Sequence, residues 1–312
     1  MLTGGAAPPA GRGPGGTRPC AAVFRHGPYR GMTAIADLEF FDSHVHFWRP
    51  EANDWYPGLA VWRPELVRDH LPDGYRAAAD GVEITGVVHV SAVTKPGAHL
   101  DETRWLDETR RATGDPAAII GTVDPSAPLG AIAADLDAQA ESPAFRGIRV
   151  FDGLDPEAAG DLFRLLGDRD LVFDLVVHPG DAAAHAAAAE RAPGTAFVLE
   201  HSGWPDGDGP DQFRAWRDGV ARLAALPHVD CKISGLGMAL GTLETARLRP
   251  FVETCLELFG VERCFFGSNF PVDGVAGTFP RLIGAYREIV EPLSGGERRR
   301  LFSGNARRRY RA

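Results

Sequence analysis

The sequence contains little lysine, few cysteines and no long apolar run. Lys95 and Lys232 are its only lysines, so arginine supplies nearly all of the positive charge. The four cysteines form no CxxC pair, which excludes a disulfide scaffold and a zinc finger, and three of them lie in apolar runs typical of buried thiols. No segment reaches the roughly 18 uninterrupted apolar residues that a membrane span needs. We therefore expect no membrane partner.

The 42 acidic and 33 basic residues leave a net charge of −9, and 44% of the 312 residues are hydrophobic. This is an ordinary globular composition, and its acidic balance argues against a nucleic-acid partner. The arginines between 298 and 311 are interleaved with Leu301, Phe302 and Tyr310. That pattern predicts a docked terminal helix with a solvated arginine face. We expect a small-molecule substrate, while a homo-oligomer remains open.

Residues 1–36 are rich in glycine, proline, alanine and arginine, and we predict a disordered extension there, followed by one domain over 37–312. No apolar segment of the length found in secretory signals follows the early arginines, so a cytoplasmic location is expected. Met32 directly precedes the first patterned segment. Translation from Met1 and from Met32 are both consistent with the sequence, and the mass of the N-terminal peptide distinguishes them.

Short apolar or β-branched runs alternate with amphipathic or alanine-rich segments from residue 39 onward. The runs predict strands at 39–45, 84–90, 118–123, 146–151, 172–178, 196–201, 229–234 and 263–268. Helical patterns lie at 101–113, 129–141, 156–168, 181–192, 211–225, 246–260, 279–291 and 296–310. Eight such pairs predict an α/β fold, a distorted (β/α)8 TIM barrel. An open doubly wound sheet is the alternative, but no GxGxxG follows the first strand.

In a TIM barrel, polar residues at the carboxyl ends of strands converge on one mouth. Asp42, His44 and His46 alternate along the first strand and so share a face. Two imidazoles at this spacing can chelate a divalent cation or hold a substrate oxyanion.

Other predicted strands also end in polar residues. Arg149 ends the fourth strand and could bind a substrate carboxylate or pair with Asp152 or Asp174. His178 and His201 end the fifth and sixth strands. Lys232 lies on the seventh, where the register leaves open whether it faces the barrel interior.

Several segments together resemble the amidohydrolase-2 family, in the branch with L-fuconolactonase-like and 2-pyrone-4,6-dicarboxylate lactonase-like enzymes. They are FDSHVHFW (41–48), RPELVRDHLP (63–72), ETRWL (102–106), RGIR (146–149), EHSG (200–203), KISGL (232–236), FGSNFPVD (266–273) and SGNARR (303–308). The resemblance implies a barrel enzyme that hydrolyses a small, often carboxylated or sugar-derived lactone. It also implies that His44 and His46 bind metal or substrate, that His201 is the sixth-strand histidine, and that Arg149 binds a substrate carboxylate.

The sequence departs from that family on the eighth strand, where Asn269 replaces the usual catalytic aspartate. An amide can orient a water but cannot take its proton near neutral pH. Asp273 could fold back and serve as the base, or a metal held by the histidines could lower the pKa of its water. A third alternative is different chemistry, since relatives include decarboxylases and lactone isomerases.

We hypothesise lactone opening in which His201, with Asp273 or a metal, activates water, and His178 protonates the leaving alkoxide. His44, His46 and Arg149 orient and polarise the substrate, and Trp48 and Lys232 are further candidate binding residues. The cofactor is expected to be none or one divalent metal, Zn or Mn, held by His44, His46 and His201. The rival hypotheses are a metal-dependent decarboxylase or lactone isomerase, and a non-catalytic protein that binds a small acid.

Overall fold

The computed structural model describes residues 39–312, and its centre is a sheet of eight parallel strands. Each strand is a short apolar run that is almost entirely buried, because helices cover the outside and other strands' side chains fill the inside. The strands are β1 (Phe40–Val45), β2 (Ile84–Val90), β3 (Ala118–Gly121), β4 (Phe145–Arg149), β5 (Val172–Leu175), β6 (Ala196–Leu199), β7 (Val229–Ile233) and β8 (Cys264–Phe266).

Helices connect the strands. They are α1 (Leu59–Trp62), α2 (Pro72–Ala78), α3 (His99–Thr113), α4 (Leu129–Gln139), α5 (Gly160–Gly167), α6 (Ala182–Glu190), α7 (Pro210–Ala224), α8 (Leu236–Leu240), α9 (Thr245–Phe259), α10 (Phe279–Ile289), α11 (Gly295–Arg299) and α12 (Asn305–Tyr310). Local sequence sets several ends: Ser294 and Glu297 form a capping box at the start of α11. A π-helical turn, Arg300–Gly304, joins α11 to α12.

The strands pair in chain order from β1 to β8, and loop residues bring the two edges together. Val45 and Phe270 form an isolated parallel bridge. The amide of Asn269 donates to the carbonyl of His44 at 2.8 Å, and the amide of His46 donates to the carbonyl of Phe270 at 2.9 Å. The result is a nearly closed (β/α)8 barrel, as the sequence predicts. Its seam joins the segment that carries His44 and His46 to the segment that carries Asn269.

The C-terminal segment covers the amino-terminal end of the strands. Tyr310 is fully buried there, and its carbonyl accepts a 2.7 Å hydrogen bond from Nε of Arg146, at the start of β4. Nη2 of Arg307 donates to the carbonyl of Thr85, near the start of β2, at 2.9 Å. Leu301 and Phe302 are also buried. The predicted docked terminal helix is therefore present, although the π-helical turn interrupts it.

All eight predicted strands are present, but the third to the eighth end earlier than predicted, and the fifth ends at Leu175 instead of residue 178. Helices α1, α2 and α8, none longer than seven residues, were not predicted. Within residues 39–312, no helix combines the length and apolar character needed to cross a membrane. The proposed disordered extension, residues 1–36, and the Met32 start lie outside the described residues.

Candidate active site

Two buried histidines, near the end of β1 and just after it, have their rings in contact. Nε2 of His44 lies 3.1 Å from Nε2 of His46. Nδ1 of His46 lies 2.8 Å from the carbonyl of Val90 and must carry a proton to donate a hydrogen bond to it. In neutral His46, Nε2 therefore carries no proton and has a free lone pair. That lone pair either accepts a hydrogen bond from His44 or shares a ligand with it.

Asp42, the first residue of the predicted alternating set, has other partners. One of its oxygens accepts from the amide of Ser268 at 2.8 Å, and the other accepts from the hydroxyl of Tyr75 at 2.7 Å. Burial raises the pKa of Asp42 to about 6 despite these hydrogen bonds. This carboxyl therefore ties β1 to β8 and α2.

His201 lies in the short turn Glu200–Gly203 that follows β6. The backbone is left-handed at His201 (φ 49°) and at Ser202 (φ 56°), a conformation that L-residues rarely adopt. Nδ1 of His201 lies 2.9 Å from Oγ of Ser234, which orients the ring, and the ring centroid lies 4.6 Å from that of His44. Clustered backbone strain of this kind is frequent at functional sites.

Glu200 lies close to two buried cationic side chains, Arg149 and Lys232. Its carboxylate lies 3.3 Å from Nη1 of Arg149 and 4.0 Å from Nζ of Lys232. Arg149 therefore pairs with Glu200, not with Asp152 or Asp174 as considered from the sequence, and it also donates to the carbonyl of Ser91.

Lys232 points into the barrel, which resolves the register left open by the sequence. Its Nζ lies 2.5 Å from Oδ2 of Asp174. The hydroxyl of Tyr310 donates to Oδ1 of the same aspartate at 2.9 Å. Burial raises the pKa of Asp174, against the lowering effect of Lys232. Lys232 is thus held by an internal ion pair.

Three residues are grouped closely enough to hold one metal ion. Ligand atoms of His44, Glu200 and His201 all lie within 4.8 Å of one another. Among the described residues, neither Nδ1 of His44 nor Oε1 of Glu200 has a hydrogen-bond partner, although both atoms are buried. The group differs from the set expected from sequence, because Glu200 replaces His46.

The three histidines are neutral in this environment. Burial is the largest cause that lowers the pKa of His44, His46 and His201 well below the usual value, and the positive charge of Arg149 adds to it. Neutral imidazoles can accept a proton or coordinate a cation, which protonated ones cannot.

Asn269 and Asp273 form a buried pair beside β8. Nδ2 of Asn269 donates to Oδ1 of Asp273 at 2.9 Å, and the amides of Met238 and Gly237 each donate to the carboxyl at 3.0 Å. Burial raises the pKa of Asp273 to about 7. Oδ1 of Asn269 is buried and accepts no hydrogen bond from the described residues. Asp273 does fold back, but its oxygens are occupied by these donors.

Two further candidates border this cluster. Trp48 is buried, donates from its indole to the carbonyl of Arg68 at 3.1 Å, and stacks on His46 at 5.8 Å between centroids. His178 lies in the loop after the shortened β5, where its side chain is 49% exposed and 3.8 Å from Asp206. Trp204 contacts the rings of both His178 and His201. The structure therefore groups the candidates around His44 and leaves His178 at the surface.

Glu200 is the functional candidate that sequence reasoning missed. It immediately precedes His201 at the end of β6, within the EHSG segment. The sequence does show a carboxylate next to a histidine at a strand end, which could have indicated Glu200. The direction of the Glu200 side chain, however, depends on the left-handed turn that follows.

A cavity of about 760 Å³ opens beside His46. Its walls come from the segment between β1 and β2, including α2, and from the segment between β8 and α10. Segments of this kind, which follow barrel strands, carry the substrate contacts in TIM-barrel enzymes.

Comparison with known proteins gives consistent matches. The Amidohydrolase family matches residues 41–312. The chain is 32% identical to L-fucono-1,5-lactonase of Burkholderia ambifaria over 292 residues, which is 86% of this chain and 94% of the relative. The corresponding enzyme of Burkholderia multivorans is 32% identical over 288 residues, 86% of this chain and 95% of the relative. A solved amidohydrolase from Burkholderia multivorans with bound zinc has a TM-score of 0.76 and 30% identity, covering 87% of this chain and 99% of its own.

Proposed function

The chain belongs to the amidohydrolase family, and we propose that it is a hydrolase that opens a small, carboxylated or sugar-derived lactone. The observation that carries this proposal is the buried group of His44, His46, His201 and Arg149 at the carboxyl ends of the strands. Two relatives that are 32% identical over nearly their full length are L-fucono-1,5-lactonases. Their name describes a 1,5-lactone, which is a six-membered cyclic ester.

Arg149, His44 and His46 polarise the lactone carbonyl. The buried guanidinium of Arg149, fixed by Glu200 and the carbonyl of Ser91, stabilises negative charge on the lactone carbonyl as water attacks it. His44 and His46 hold the ester group beside it. Because these groups are held by internal contacts before substrate arrives, they need little reorganisation during the reaction.

Asn269 and His201 activate the attacking water. The hydrogen bond from Asn269 to Asp273 leaves the amide oxygen of Asn269 as the available acceptor, which orients the attacking water. His201 takes the proton of that water, and the resulting imidazolium lies within 4.8 Å of Glu200. The ester C–O bond then breaks, and the ring alkoxide takes the proton that His201 removed from the water, which gives the hydroxy acid and restores neutral His201. Asp273 acts here by holding Asn269, and the alternative, protonation of the alkoxide by His178, stays a prediction.

The residues present also fit a divalent metal. His44, Glu200 and His201 would hold Zn²⁺ or Mn²⁺, because they offer two neutral imidazoles and a carboxylate with unpartnered buried atoms. Such an ion would polarise the lactone carbonyl and lower the pKa of bound water. Elemental analysis of protein purified without a metal-affinity tag tests this fit. About one equivalent of metal, lost in Glu200→Gln, would assign His201 to the metal instead of to the proton of the water.

The function is tested by following acid release from L-fucono-1,5-lactone and δ-valerolactone, corrected for spontaneous hydrolysis. We expect turnover by the wild type and a loss of at least 100-fold in kcat/KM for His201→Asn, since asparagine tolerates the left-handed backbone but is not a base. His228→Asn is the control, because His228 contacts Ala189 away from the site. Absence of turnover on a wider lactone panel, or full activity in His201→Asn, would contradict the proposal.

A further inference from the structure

We propose that the cavity beside His46 binds an apolar substituent of the substrate, so that the preferred lactone carries an alkyl or aryl group on its ring. This inference rests on the proposed lactone hydrolysis and adds the substrate class. The cavity volume of about 760 Å³ lies in the range of small-molecule sites, about 300–1,000 Å³.

The cavity walls are largely apolar. Phe47, Leu66, Phe270 and Phe279 are buried side chains that line it. Tyr75 also lines it, but its hydroxyl already donates to Asp42 at 2.7 Å, so it offers only its ring. Apart from the charged rim, few polar side chains line the cavity, among them His70 and Thr278. A polyhydroxylated substituent would therefore lose water here and gain few hydrogen bonds, whereas an alkyl or aryl group gains from leaving water.

Charged side chains are confined to the rim. Glu65 and Arg68 are exposed, and Asp69 is half-buried and lies 3.5 Å from Nε of Arg49. Burial lowers the pKa of His70 to about 4, so this lining residue is neutral at pH 7. No charged group therefore lies on the deep walls to recognise an ionic substituent.

His46 is the member of the histidine cluster that lines the cavity. It lines the cavity, and its Nε2 is 3.1 Å from Nε2 of His44. A lactone ring held at the histidines can therefore direct a substituent past His46 into the apolar space. The size and the position of the cavity together suit a substituent of several carbon atoms.

One face of α2 and its preceding residue form a wall that can be altered without touching the histidines. Leu71, Gly74, Tyr75 and Ala78 all line the cavity, at the i, i+3, i+4 and i+7 positions of one helical face. A Cβ added at Gly74 would meet no atom within 4 Å, so there is room for a larger side chain. Ala77 is exposed and does not line the cavity. Ala78→Phe and Ala77→Phe are thus matched variants at adjacent exposed positions.

The test compares δ-valerolactone, which has no substituent, with δ-decalactone, which carries a pentyl group. Burial of each methylene is worth about a fourfold gain, so we expect kcat/KM to be at least tenfold higher for δ-decalactone in the wild type. Ala78→Phe should lose most of this gain, read as the ratio of kcat/KM for the two lactones. Ala77→Phe should match the wild type on both, and Gly74→Phe provides a second cavity-filling variant.

Binding of 2-pentyltetrahydropyran, a ring ether that cannot be hydrolysed, separates this inference from the proposed function. Calorimetric binding by the wild type and Ala77→Phe, but at least fivefold weaker binding by Ala78→Phe, supports the cavity site even if no lactone is opened. Equal kcat/KM for the two lactones, or equal ether binding by Ala78→Phe and Ala77→Phe, overturns the inference even if lactones are hydrolysed.

Discussion

At the scale of single residues, Asn269 and Asp273 form one buried, hydrogen-bonded pair. The amide can orient a water, and the carboxyl behind it fixes which way the amide points. Asp273 is also bonded by the amides of Gly237 and Met238, so it holds the start of α8 in place. The Asp273 side chain therefore fixes both the amide of Asn269 and the start of α8.

Asp273→Asn should reduce kcat by more than tenfold, because an asparagine there cannot accept from all three present donors. Its effect on stability should depend on pH. The folded-state pKa of about 7 lies above the unfolded value of about 3.9, so the stabilising contribution of the carboxyl is lost as pH rises from about 4 to about 7. Urea unfolding should show that the stability advantage of the wild type over Asp273→Asn falls by roughly 2–3 kcal/mol between pH 5 and pH 8. A pH-independent difference would show that Asp273 does not titrate in this range.

The sequence predicted which residues meet at the site better than it predicted their contacts. Side chains alternate along a strand, which is enough to predict that His44 and His46 lie on one face. A barrel brings strand ends together, which is enough to predict that both lie near His201. The pairing of Arg149 with Glu200 could not be foreseen, because it depends on how the turn after β6 directs Glu200. The same holds for His178, which lies exposed in the loop after β5.

At the scale of elements, the turns that follow β6 and β7 fit against each other at the site. Gly235 has a left-handed backbone (φ +66°), and a Cβ there would lie 2.4 Å from Nδ1 of His201. Gly241 has the same φ, but a Cβ there would meet no atom within 4 Å. Gly235 therefore leaves room for the His201 ring, in addition to its backbone role.

Gly235→Ala and Gly241→Ala should separate these two effects. Both should destabilise the protein by about 1–2 kcal/mol through the left-handed backbone. Only Gly235→Ala should also displace His201, and we expect its kcat/KM to fall at least tenfold while Gly241→Ala stays within twofold of the wild type. Thermal unfolding and lactone kinetics on the same preparations measure both. Equal activities would mean that the His201 position does not depend on this contact.

Element prediction succeeded where periodicity was sustained and failed in short segments. Helices such as α3 and α9, each of 15 residues, have room for several turns of an amphipathic pattern. Helix α2 has only seven residues and begins at Pro72, which left too few positions to show a period. Its residues nevertheless form a wall of the cavity.

At the scale of the whole molecule, a line of polar contacts runs through the barrel interior from one end to the other. It begins at Tyr310 in α12, passes through Asp174 and Lys232, and reaches Glu200 beside the histidines. The sequence indicated that the terminal helix docks, but not that its tyrosine reaches an aspartate inside the barrel. Removal of one member leaves a buried polar partner unsatisfied.

Tyr310→Phe should lower the free energy of unfolding by about 1–3 kcal/mol, because Asp174 loses a buried hydrogen bond. Lys232 still holds Asp174, so kcat/KM should stay within threefold of the wild type. Tyr286→Phe is the matched control, since the buried hydroxyl of Tyr286 has no hydrogen-bond partner among the described residues. Denaturant titration should show little change for this control. Equal destabilisation of the two variants would contradict a specific role for the Tyr310 hydroxyl.

The scarcity of lysine gives the internal ion pair a practical consequence. The side chain of Lys95 is 39% exposed, whereas that of Lys232 is fully buried against Asp174. An amine-reactive ester added to the folded protein can therefore acylate Lys95 but has no access to Lys232. The rate at which Lys232 is acylated, measured by peptide mass spectrometry, therefore reports how often the barrel opens. The acylation of Lys95 in the same chain is the internal reference.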